Sequence, residues 1–330
     1  MPGLTPCPPF PQDIPTCPLL AATKTGFWHF TNHGVCEEAE GMFAMGKGTI
    51  SLTLEDRLLF EQGAQCVSFG CDTGVQFTDD KGTHDVPEFV DIPKDDALTW
   101  PAVAHRTYPY AVNAQMESTI TPFVKNSLAI NNHLIVVLND KLGLPAGTLA
   151  SLYKAEEFSG CMARFLRAPP YLGPEEKTFL TAHTDFGSLS LLHNRLGGLQ
   201  VLPPGSDQWF SVNVSDPSRS AALMLTQSFV AQPLPGHAIC NVGDAPNIFS
   251  GGILRSNIHR VVPPSREQAQ YERHSVVFFT RPNDTAPGVT VMERLLRRVK
   301  WQRVTNYKGA ESWADRRVTE DTAIPNQGKI

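Results

Sequence analysis

The chain of 330 residues lacks the features that mark several large protein classes. No apolar run approaches the roughly 20 residues that a membrane-spanning helix needs. The first ten residues have neither the basic start nor the apolar core of a secretion signal. The net charge of −5 and the pI near 6.1 leave no basic surplus for binding nucleic acid. We therefore expect a cytoplasmic protein with neither membrane nor nucleic-acid partners.

Cysteine patterns are also missing. The seven cysteines are odd in number and include no C-x-x-C pair, so neither a disulfide framework nor a cysteine-based zinc site is expected. Free thiols in a reducing compartment are the simplest interpretation. Hydrophobic content of 41% and charged content of 18% are ordinary for a globular protein, and the chain is long enough to bury a sizeable core.

The most informative pattern that the sequence does contain is a set of possible metal ligands. His183 and Asp185 are two residues apart, and side chains two apart on a strand point to the same face. His259 lies far downstream and can supply a third ligand. Two imidazoles and one carboxylate bind non-haem Fe(II) and leave the opposite side open for oxygen chemistry. An isolated H-x-D triplet is weak evidence for a metal site, because such triplets arise by chance, but the downstream His259 makes the evidence stronger.

A second pattern predicts a binding site for a carboxylate. Arg273 and Ser275 are again two apart, so both can point into the same cavity while His274 faces outward. The planar guanidinium matches a carboxylate with two parallel hydrogen bonds, and the serine hydroxyl can donate another. An arginine beside the apolar run 276–279 is costly inside a barrel unless a partner compensates its charge.

These motifs resemble those of a known family, the isopenicillin-N-synthase-like branch of the Fe(II)/2-oxoglutarate-dependent oxygenases. The resemblance is dispersed over roughly residues 13 to 283, with its motifs in the family's order. The stretch 273–282 is similar to fungal members, many of which tailor secondary metabolites. The supporting segments are 26–35 (GFWHFTNHGV), 197–201 (GGLQV), 241–262, which ends in His-Arg-Val-Val, and 271–279 (YERHSVVFF).

The resemblance implies a mostly β fold with flanking helices. Its core is a double-stranded β-helix (jelly roll, cupin-like), buttressed by N-terminal helices. We expect three parts: an N-terminal helical region over 1–150, the jelly-roll oxygenase core over 151–285, and a C-terminal helix and tail over 286–330.

The sequence pattern also predicts individual elements. Helices are expected around 36–61 and over 113–142, a loop-rich segment over 63–100, and short strands from about residue 160. The segment 215–234 looks like an insertion, either a lid over the barrel mouth or a plain surface loop.

The resemblance further implies the cofactors and the reaction. Fe(II) would be held by His183, Asp185 and His259, and 2-oxoglutarate would chelate it while Arg273 and Ser275 hold the far carboxylate. Oxygen would be consumed, succinate and CO2 released, and ascorbate could serve as a reductant. The substrate would be a small-molecule secondary metabolite undergoing hydroxylation, desaturation or ring expansion. We expect a monomer or a weak homo-oligomer.

One family feature is absent, and the substrate pocket is less well defined. Relatives often carry a tyrosine before the proline at the position of Ala168, which leaves open what replaces the phenol. Candidate substrate-binding residues are Arg195, Phe186 and Phe249. Arg195 either anchors an anionic or phenolic substrate or is an ordinary exposed hairpin arginine. The two phenylalanines either line the pocket or belong to the core.

Three alternatives to this function remain. The first is a non-haem iron oxidase of the same fold that does not use 2-oxoglutarate, similar to isopenicillin N synthase or aminocyclopropane carboxylate oxidase. The second is a catalytically dead binding protein, which the intact His183, Asp185, His259 and Arg273 argue against. The third is a zinc hydrolase, which is disfavoured because no carboxylate is placed as a general base beside the H-x-D triplet. Asp244 is expected to be a structural turn residue.

Overall fold

Two antiparallel sheets form the scaffold in the computed structural model, which describes residues 17–60, 70–73, 87–173, 178–212, 236–264 and 266–285. The larger sheet has the strand order β1-β9-β6-β11-β4-β3-β2 and the smaller one β5-β10-β7-β8. The strands are β1 (Phe27–Thr31), β2 (Gly70–Thr73), β3 (Glu88–Pro93), β4 (Met162–Ala168), β5 (Leu180–His183), β6 (Leu189–Asn194), β7 (Leu199–Val201), β8 (Phe210–Ser211), β9 (His237–Val242), β10 (His259–Val261) and β11 (Arg273–Thr280).

The strand connectivity is that of a jelly roll. From β4 to β11 the chain crosses repeatedly between the two sheets: β4, β6, β9 and β11 belong to the larger sheet, and β5, β7, β8 and β10 to the smaller one. Such alternation closes two sheets around a common interior. The predicted double-stranded β-helix is therefore confirmed, and its interior is the place where inward-pointing side chains of both sheets can meet.

Helices cover the outer face of the larger sheet. The longest of them, α6, packs against β6 and β11, and α2 packs against β3, β4 and β11. The helices of the described residues are α1 (Cys17–Lys24), α2 (Cys36–Ile50), α3 (Leu54–Leu58), α4 (Lys94–Thr99), α5 (Tyr110–Asn113), α6 (Thr121–Lys141) and α7 (Asp244–Phe249).

Close packing between α2 and the sheet depends on a glycine. A Cβ atom at Gly46 would lie 2.0 Å from the Phe165 ring, so only glycine lets the helix approach β4 this closely. Phe165 also packs edge-to-face on Phe43 of α2. On α6, Phe123 makes the corresponding contact with Phe278 of β11, with 6.4 Å between ring centroids. These fully or nearly fully buried side chains form the core between the helices and the sheet.

The pleat of the larger sheet sorts its side chains between this core and the barrel interior. In β11, Val276 and Phe278 point to the helices, and the alternate residues Arg273, Ser275 and Val277 point inward. The inward residues Asn194, Leu192 and Ser190 of β6 lie opposite Ser275, Val277 and Phe279 of β11. The predicted outward direction of His274 agrees with its contact to Phe165, at 5.4 Å between ring centroids.

Several predicted element boundaries were wrong. The helix expected over 36–61 is interrupted after Ile50, and a second helix, α3, begins where the Thr53 side chain accepts a hydrogen bond from the Asp56 backbone. The segment 63–100, expected to be loop-rich, contains β2, β3 and α4 within its described part. The helix predicted over 113–142 is divided by a π-helical turn, Met116–Ile120, before α6 begins. Its predicted end agrees with Gly143, whose φ is +69°.

Two other predicted features lie outside the described residues: the insertion 215–234 and the C-terminal helix and tail from residue 286. The division into three parts therefore stays a prediction. All described residues belong to one compact unit, Met1–Ala286. Within the described part of the chain, no helix combines the length and apolar character needed to cross a membrane.

Candidate metal centre

The two sheets bring the predicted metal ligands together. His183 is the last residue of β5 and Asp185 follows two residues later, while His259 opens β10 directly opposite His183 in the antiparallel pair. One ligand atom from each of the three residues lies within 4.8 Å of the others. Neighbouring strands of the smaller sheet thus place both imidazoles side by side, with ring centroids 4.3 Å apart.

Hydrogen bonds to the backbone orient both imidazoles. Nδ1 of His183 lies 2.7 Å from the Thr181 carbonyl oxygen, and Nδ1 of His259 lies 3.2 Å from that of Asn257. A carbonyl can only accept, so Nδ1 must donate in each case. Nε2 is then the ring atom that faces inward, 3.9 Å from Oδ1 of Asp185 for His183 and 3.7 Å for His259. Metal-binding histidines typically show this arrangement.

The carboxylate is oriented from the larger sheet. Oδ2 of Asp185 accepts hydrogen bonds from Ser190 Oγ at 2.5 Å and from Asn241 Nδ2 at 2.6 Å. Oδ1 is the oxygen that faces the two imidazoles. Burial alone would raise the pKa of Asp185, but the neighbouring His259 and His183 and these two hydrogen bonds lower it to about 2. The carboxyl group is therefore ionised.

The donor set fits Fe(II). It combines two imidazoles with one carboxylate and contains no thiolate, which is the facial set of non-haem iron oxygenases. Sequence analysis missed Ser190 and the role of Asn241. Their signal was available, because both occupy inward positions on strands that neighbour each other, where they lie opposite one another in register.

The loop after His183 is fastened by Asp244. Its carboxylate accepts hydrogen bonds from Thr184 Oγ1 at 2.9 Å and from Ser256 Oγ at 2.5 Å, and its backbone N–H donates to the Asp185 carbonyl at 2.8 Å. Both carboxylate oxygens are therefore engaged at the first residue of α7. The expected structural role of Asp244 agrees with these contacts.

A second polar cluster surrounds Arg273. Its guanidinium donates from Nε to the Gly197 carbonyl at 2.8 Å, from Nη1 to Ser275 Oγ at 2.6 Å and from Nη2 to Asn194 Oδ1 at 3.3 Å. The side chain is buried, and burial lowers the pKa of Arg273 to about 10, so the group remains charged at neutral pH. Its partners among the described residues are all neutral hydrogen-bond acceptors, so no carboxylate there neutralises the positive charge. Such a cluster suits an anionic ligand.

Asn194 is a further polar residue that sequence analysis missed. Its Oδ1 accepts hydrogen bonds from Ser275 Oγ at 2.7 Å and from Arg273, which defines the orientation of the amide. Ala168 lies directly opposite Arg273 on β4, so the missing tyrosine leaves an alanine side chain beside this cluster. Asn194 and Ser190 are four residues apart on β6, so their side chains point to the same face of the sheet. That even spacing could have identified Asn194 from the sequence.

The predicted substrate-binding residues are scattered. Arg195 pairs with Glu40 of α2, and its guanidinium lies 4.2 Å from the centroid of the Phe43 ring, so it belongs to the helix-covered outer face. The expectation that it anchors a substrate is not compatible with that position, because its charged end already contacts α2. The interpretation as an ordinary exposed arginine agrees with a side chain that is 47% exposed.

The two phenylalanines also differ in position. Phe249 lies at the end of α7 and lines an apolar groove with α6 residues such as Leu138, and its role as a wall of the substrate pocket stays a prediction. Phe186 directly follows the ligand Asp185, and its ring lies 5.4 Å from the guanidinium carbon of Arg281. Of the three candidates, Phe186 is the residue next to the metal centre.

Comparison with known proteins agrees with this geometry. The profile of the 2OG-Fe(II) oxygenase superfamily matches residues 222–282. A 2-oxoglutarate-dependent dioxygenase of Aspergillus fumigatus is 34% identical over 162 residues, which are 48% of this chain and 41% of that protein. The 2-oxoglutarate-dependent dioxygenase iboH of Amanita muscaria is 29% identical over 54% of this chain and 79% of its own length. The chain thus spans less than half of the Aspergillus relative.

Solved structures share the fold at low sequence identity. A 2OG-Fe(II) oxygenase family protein from Caulobacter crescentus superposes with a TM-score of 0.65 at 19% identity, over 85% of this chain and 92% of that one. JOX2 in complex with 2OG, Fe and JA gives a TM-score of 0.60 at 22% identity, over 82% of this chain and 71% of that one. The jelly-roll fold and the ligand set of this chain thus agree with its match to the 2OG-Fe(II) oxygenase superfamily profile over residues 222–282.

Proposed function

We propose that this protein is an Fe(II)- and 2-oxoglutarate-dependent oxygenase that oxidises a small-molecule metabolite and releases succinate and CO2. The observation that carries the proposal is the buried Arg273 cluster inside the same barrel as the three possible iron ligands. A cofactor with two carboxylates would use one of them at the metal and the other at the guanidinium. Matches to dioxygenases that are named for 2-oxoglutarate support the same choice.

Each residue has a defined task in this proposal. His183, Asp185 and His259 would hold Fe(II), which supplies the activation of oxygen when it is bound. The backbone carbonyls behind the imidazoles orient both rings, and Ser190 and Asn241 hold the carboxylate. This support reduces the rearrangement needed when the metal binds.

The cosubstrate would be held by Arg273 and Ser275. Arg273 Nε remains on the Gly197 carbonyl, which fixes the plane of the guanidinium, while its Nη atoms face neutral acceptors that a carboxylate can replace. Asn194 keeps Ser275 and Arg273 in register, and its amide Nδ2 can donate to the same carboxylate. We infer that Asn194 takes over part of the task that a tyrosine at position 168 performs in relatives.

The finer parts of the proposal rest on the relatives. We propose a secondary-metabolite substrate of the kind that fungal tailoring enzymes use, with hydroxylation, desaturation or ring expansion as the outcome, ascorbate as an auxiliary reductant, and a monomer or weak homo-oligomer as the working form. A cytoplasmic location stays a prediction.

The test is an anaerobic titration of the Fe(II)-loaded protein with 2-oxoglutarate, followed by visible absorption. We expect a metal-to-ligand charge-transfer band, because chelation of Fe(II) by the keto oxygen and a carboxylate produces one. Succinate formation after oxygen is admitted should then follow. Iron binding without a band and without succinate would contradict the proposal and favour the 2-oxoglutarate-independent oxidase. A protein that binds no iron would instead fit the binding-protein alternative.

A further inference from the structure

A second arginine lies at the opposite end of β11 from Arg273. Arg281 directly follows the strand, and the alternation that sends Thr280 to α6, where it accepts a hydrogen bond from Asn131, sends Arg281 to the barrel interior. Its backbone is fixed there, since its N–H donates to Cys161 Sγ at 3.1 Å. The side chain contacts the Phe186 ring, which follows the possible iron ligand Asp185.

The guanidinium of Arg281 has no ion-pair partner among the described residues. Its Nε atom is buried and makes no hydrogen bond there. The nearest described interior ion pair is already complete, because Arg164 donates from Nε and Nη2 to the two oxygens of Asp91, each at 2.6 Å. Asp185 is the other carboxylate whose charge acts on Arg281, and it is engaged by His183 and His259. Within the described part of the chain, the charge of Arg281, like that of Arg273, is thus left without a counter-ion.

The surroundings make room for this side chain. A Cβ atom at Gly160 would lie 2.7 Å from Cδ and 2.9 Å from Nη1 of Arg281, and one at Gly187 would lie 3.3 Å from Cγ. Two glycines therefore border the arginine side chain. Arg281 is half-buried, and its buried Nε atom lacks a partner among the described residues, which is costly; burial also lowers the pKa of Arg281. A site that keeps such a group suits a ligand that supplies the missing anion.

The interior around Arg281 is otherwise aromatic. The Arg164 guanidinium carbon lies 4.2 Å from the centroid of the Phe89 ring and 5.5 Å from that of the Phe279 ring. Together with Phe186 these rings provide apolar walls next to a single free positive charge. Such a combination recognises an apolar or aromatic body that ends in a planar anion.

We propose that Arg281 binds a carboxylate group of the prime substrate, so that the substrate is an aromatic or apolar carboxylic acid. This inference rests on the proposed function, because it assigns the second acid-binding position in a barrel where Arg273 serves the cosubstrate. The cosubstrate and the prime substrate would then bind at opposite ends of β11, the first at Arg273 and the second at Arg281, which directly follows the strand. The metal ligands lie on the facing sheet. The guanidinium and the carboxylate pair through two parallel hydrogen bonds.

The experiment compares acids with their isosteric amides. Benzoate, phenylacetate and cinnamate, and the three corresponding amides, are titrated by calorimetry into the anaerobic Fe(II)-loaded protein saturated with 2-oxoglutarate. We expect at least one acid to bind about tenfold or more tightly than its amide, which corresponds to about 1.4 kcal/mol. Arg281→Gln should reduce that preference to less than twofold while the charge-transfer band of the bound cosubstrate is retained.

Two further variants separate recognition from folding. Gly160→Ala leaves Arg281 in place but displaces its guanidinium, and it should reduce the acid preference at least threefold. Arg195→Gln removes an arginine on the outer face and should leave the preference unchanged. Melting temperatures of all variants identify any that fail to fold.

The inference would be overturned if no acid is preferred over its amide, or if Arg281→Gln binds the acid as the wild-type protein does. Failure of the proposed function looks different, because the charge-transfer band is then absent from the wild-type protein. The comparison of acids with amides can still be made on that protein with iron alone.

Discussion

The two faces of β11 differ in what they contribute. The inward face carries Arg273 and Ser275, whose polar groups hydrogen-bond to each other and to Asn194. The outward face carries Val276 and Phe278, both fully buried under the helices. A single eight-residue strand therefore takes part in the ligand site on one side and in the hydrophobic core on the other.

This difference has a physical cause. Burial of apolar area stabilises the outer face, whereas the inner face holds a buried cation whose desolvation costs free energy that neutral acceptors only partly offset. Ligand binding regains that cost, since a carboxylate is a better partner for arginine than a hydroxyl or an amide. Changes on the inner face should therefore alter binding more than stability, and changes on the outer face the reverse.

The largest expected effect on the inner side of the barrel is loss of the metal. Asp185→Ala removes the charged ligand and leaves Ser190 and Asn241 without their acceptor. We expect no stoichiometric Fe(II) binding, measured by metal analysis after anaerobic desalting, and a fold that remains intact by circular dichroism. Asp244→Asn is the matched control, because that carboxylate holds the loop and not the metal. Stoichiometric iron in the Asp185 variant would refute the ligand assignment.

On the outer face, Phe278→Ala should act through stability. Phe278 is 0% exposed and packs on Phe123, so truncation leaves a cavity that costs about 3–5 kcal/mol. Urea unfolding of the metal-free protein measures the change. The variant that remains folded should bind 2-oxoglutarate with wild-type affinity once it is loaded with Fe(II). A stability loss below about 1 kcal/mol would contradict the packing described for this face.

Back on the inner face of the same strand, Arg273→Ala should weaken 2-oxoglutarate binding and leave iron binding intact. A charged hydrogen-bond partner contributes about 2–3 kcal/mol, which predicts a dissociation constant about 30- to 150-fold higher in the anaerobic titration. The Arg273→Lys variant keeps the positive charge but lacks the planar guanidinium that makes two parallel hydrogen bonds. It should therefore bind 2-oxoglutarate more tightly than the alanine variant but less tightly than the wild type. Unchanged affinity in the alanine variant would place the cosubstrate carboxylate elsewhere.

The buried histidines on the helix side predict a loss of stability in acid. Burial, and to a lesser degree His33, lowers the pKa of His193 to about 3, whereas the unfolded chain titrates near 6.5. Because the unfolded state takes up the proton first, stability should fall as the pH drops below 6.5. The loss from His193 is about 1.4 kcal/mol between pH 7.5 and 5.5. In urea unfolding of the metal-free protein, the His193→Gln variant should lose about 1.4 kcal/mol less stability over this pH range than the wild type. If both proteins lose the same amount, His193 is not the cause of the acid sensitivity.

The sequence alone predicted the site residues that lie close together along the chain. It missed those whose role depends on contacts between strands that are distant in sequence. His183, Asp185, Arg273 and Ser275 obey the two-residue spacing of a strand, so their common direction followed from the sequence alone. Asn194 points to the same face of β6 as Ser190, but its contacts with Arg273 and Ser275 follow only from the pairing register of β6 and β11.

Arg195 shows the limit of such reasoning most clearly. It lies one residue beyond Asn194, just past the end of β6, so a shift of one position decides between the barrel interior and the outer face. The pairing of strands and the presence of α2 determined the outcome, and neither can be read from a hairpin sequence. The position of Phe249 could not be read from the sequence for a similar reason, because α7 places it beside α6.

The smallest expected effect therefore belongs to Arg195→Ala. Arg195 pairs with Glu40 and lies over Phe43, but its side chain is 47% exposed and the pair is accessible to solvent and salt. Truncation should cost about 1 kcal/mol or less in urea unfolding and should leave both 2-oxoglutarate affinity and the preference for acids over amides within twofold of wild type. Glu40→Ala should give the same small loss, and the double variant should lose little more than either, since the two share one contact. A selective loss of acid binding in the Arg195 variant would move the anion site to the outer face and remove the distinction between the two sides of the sheet.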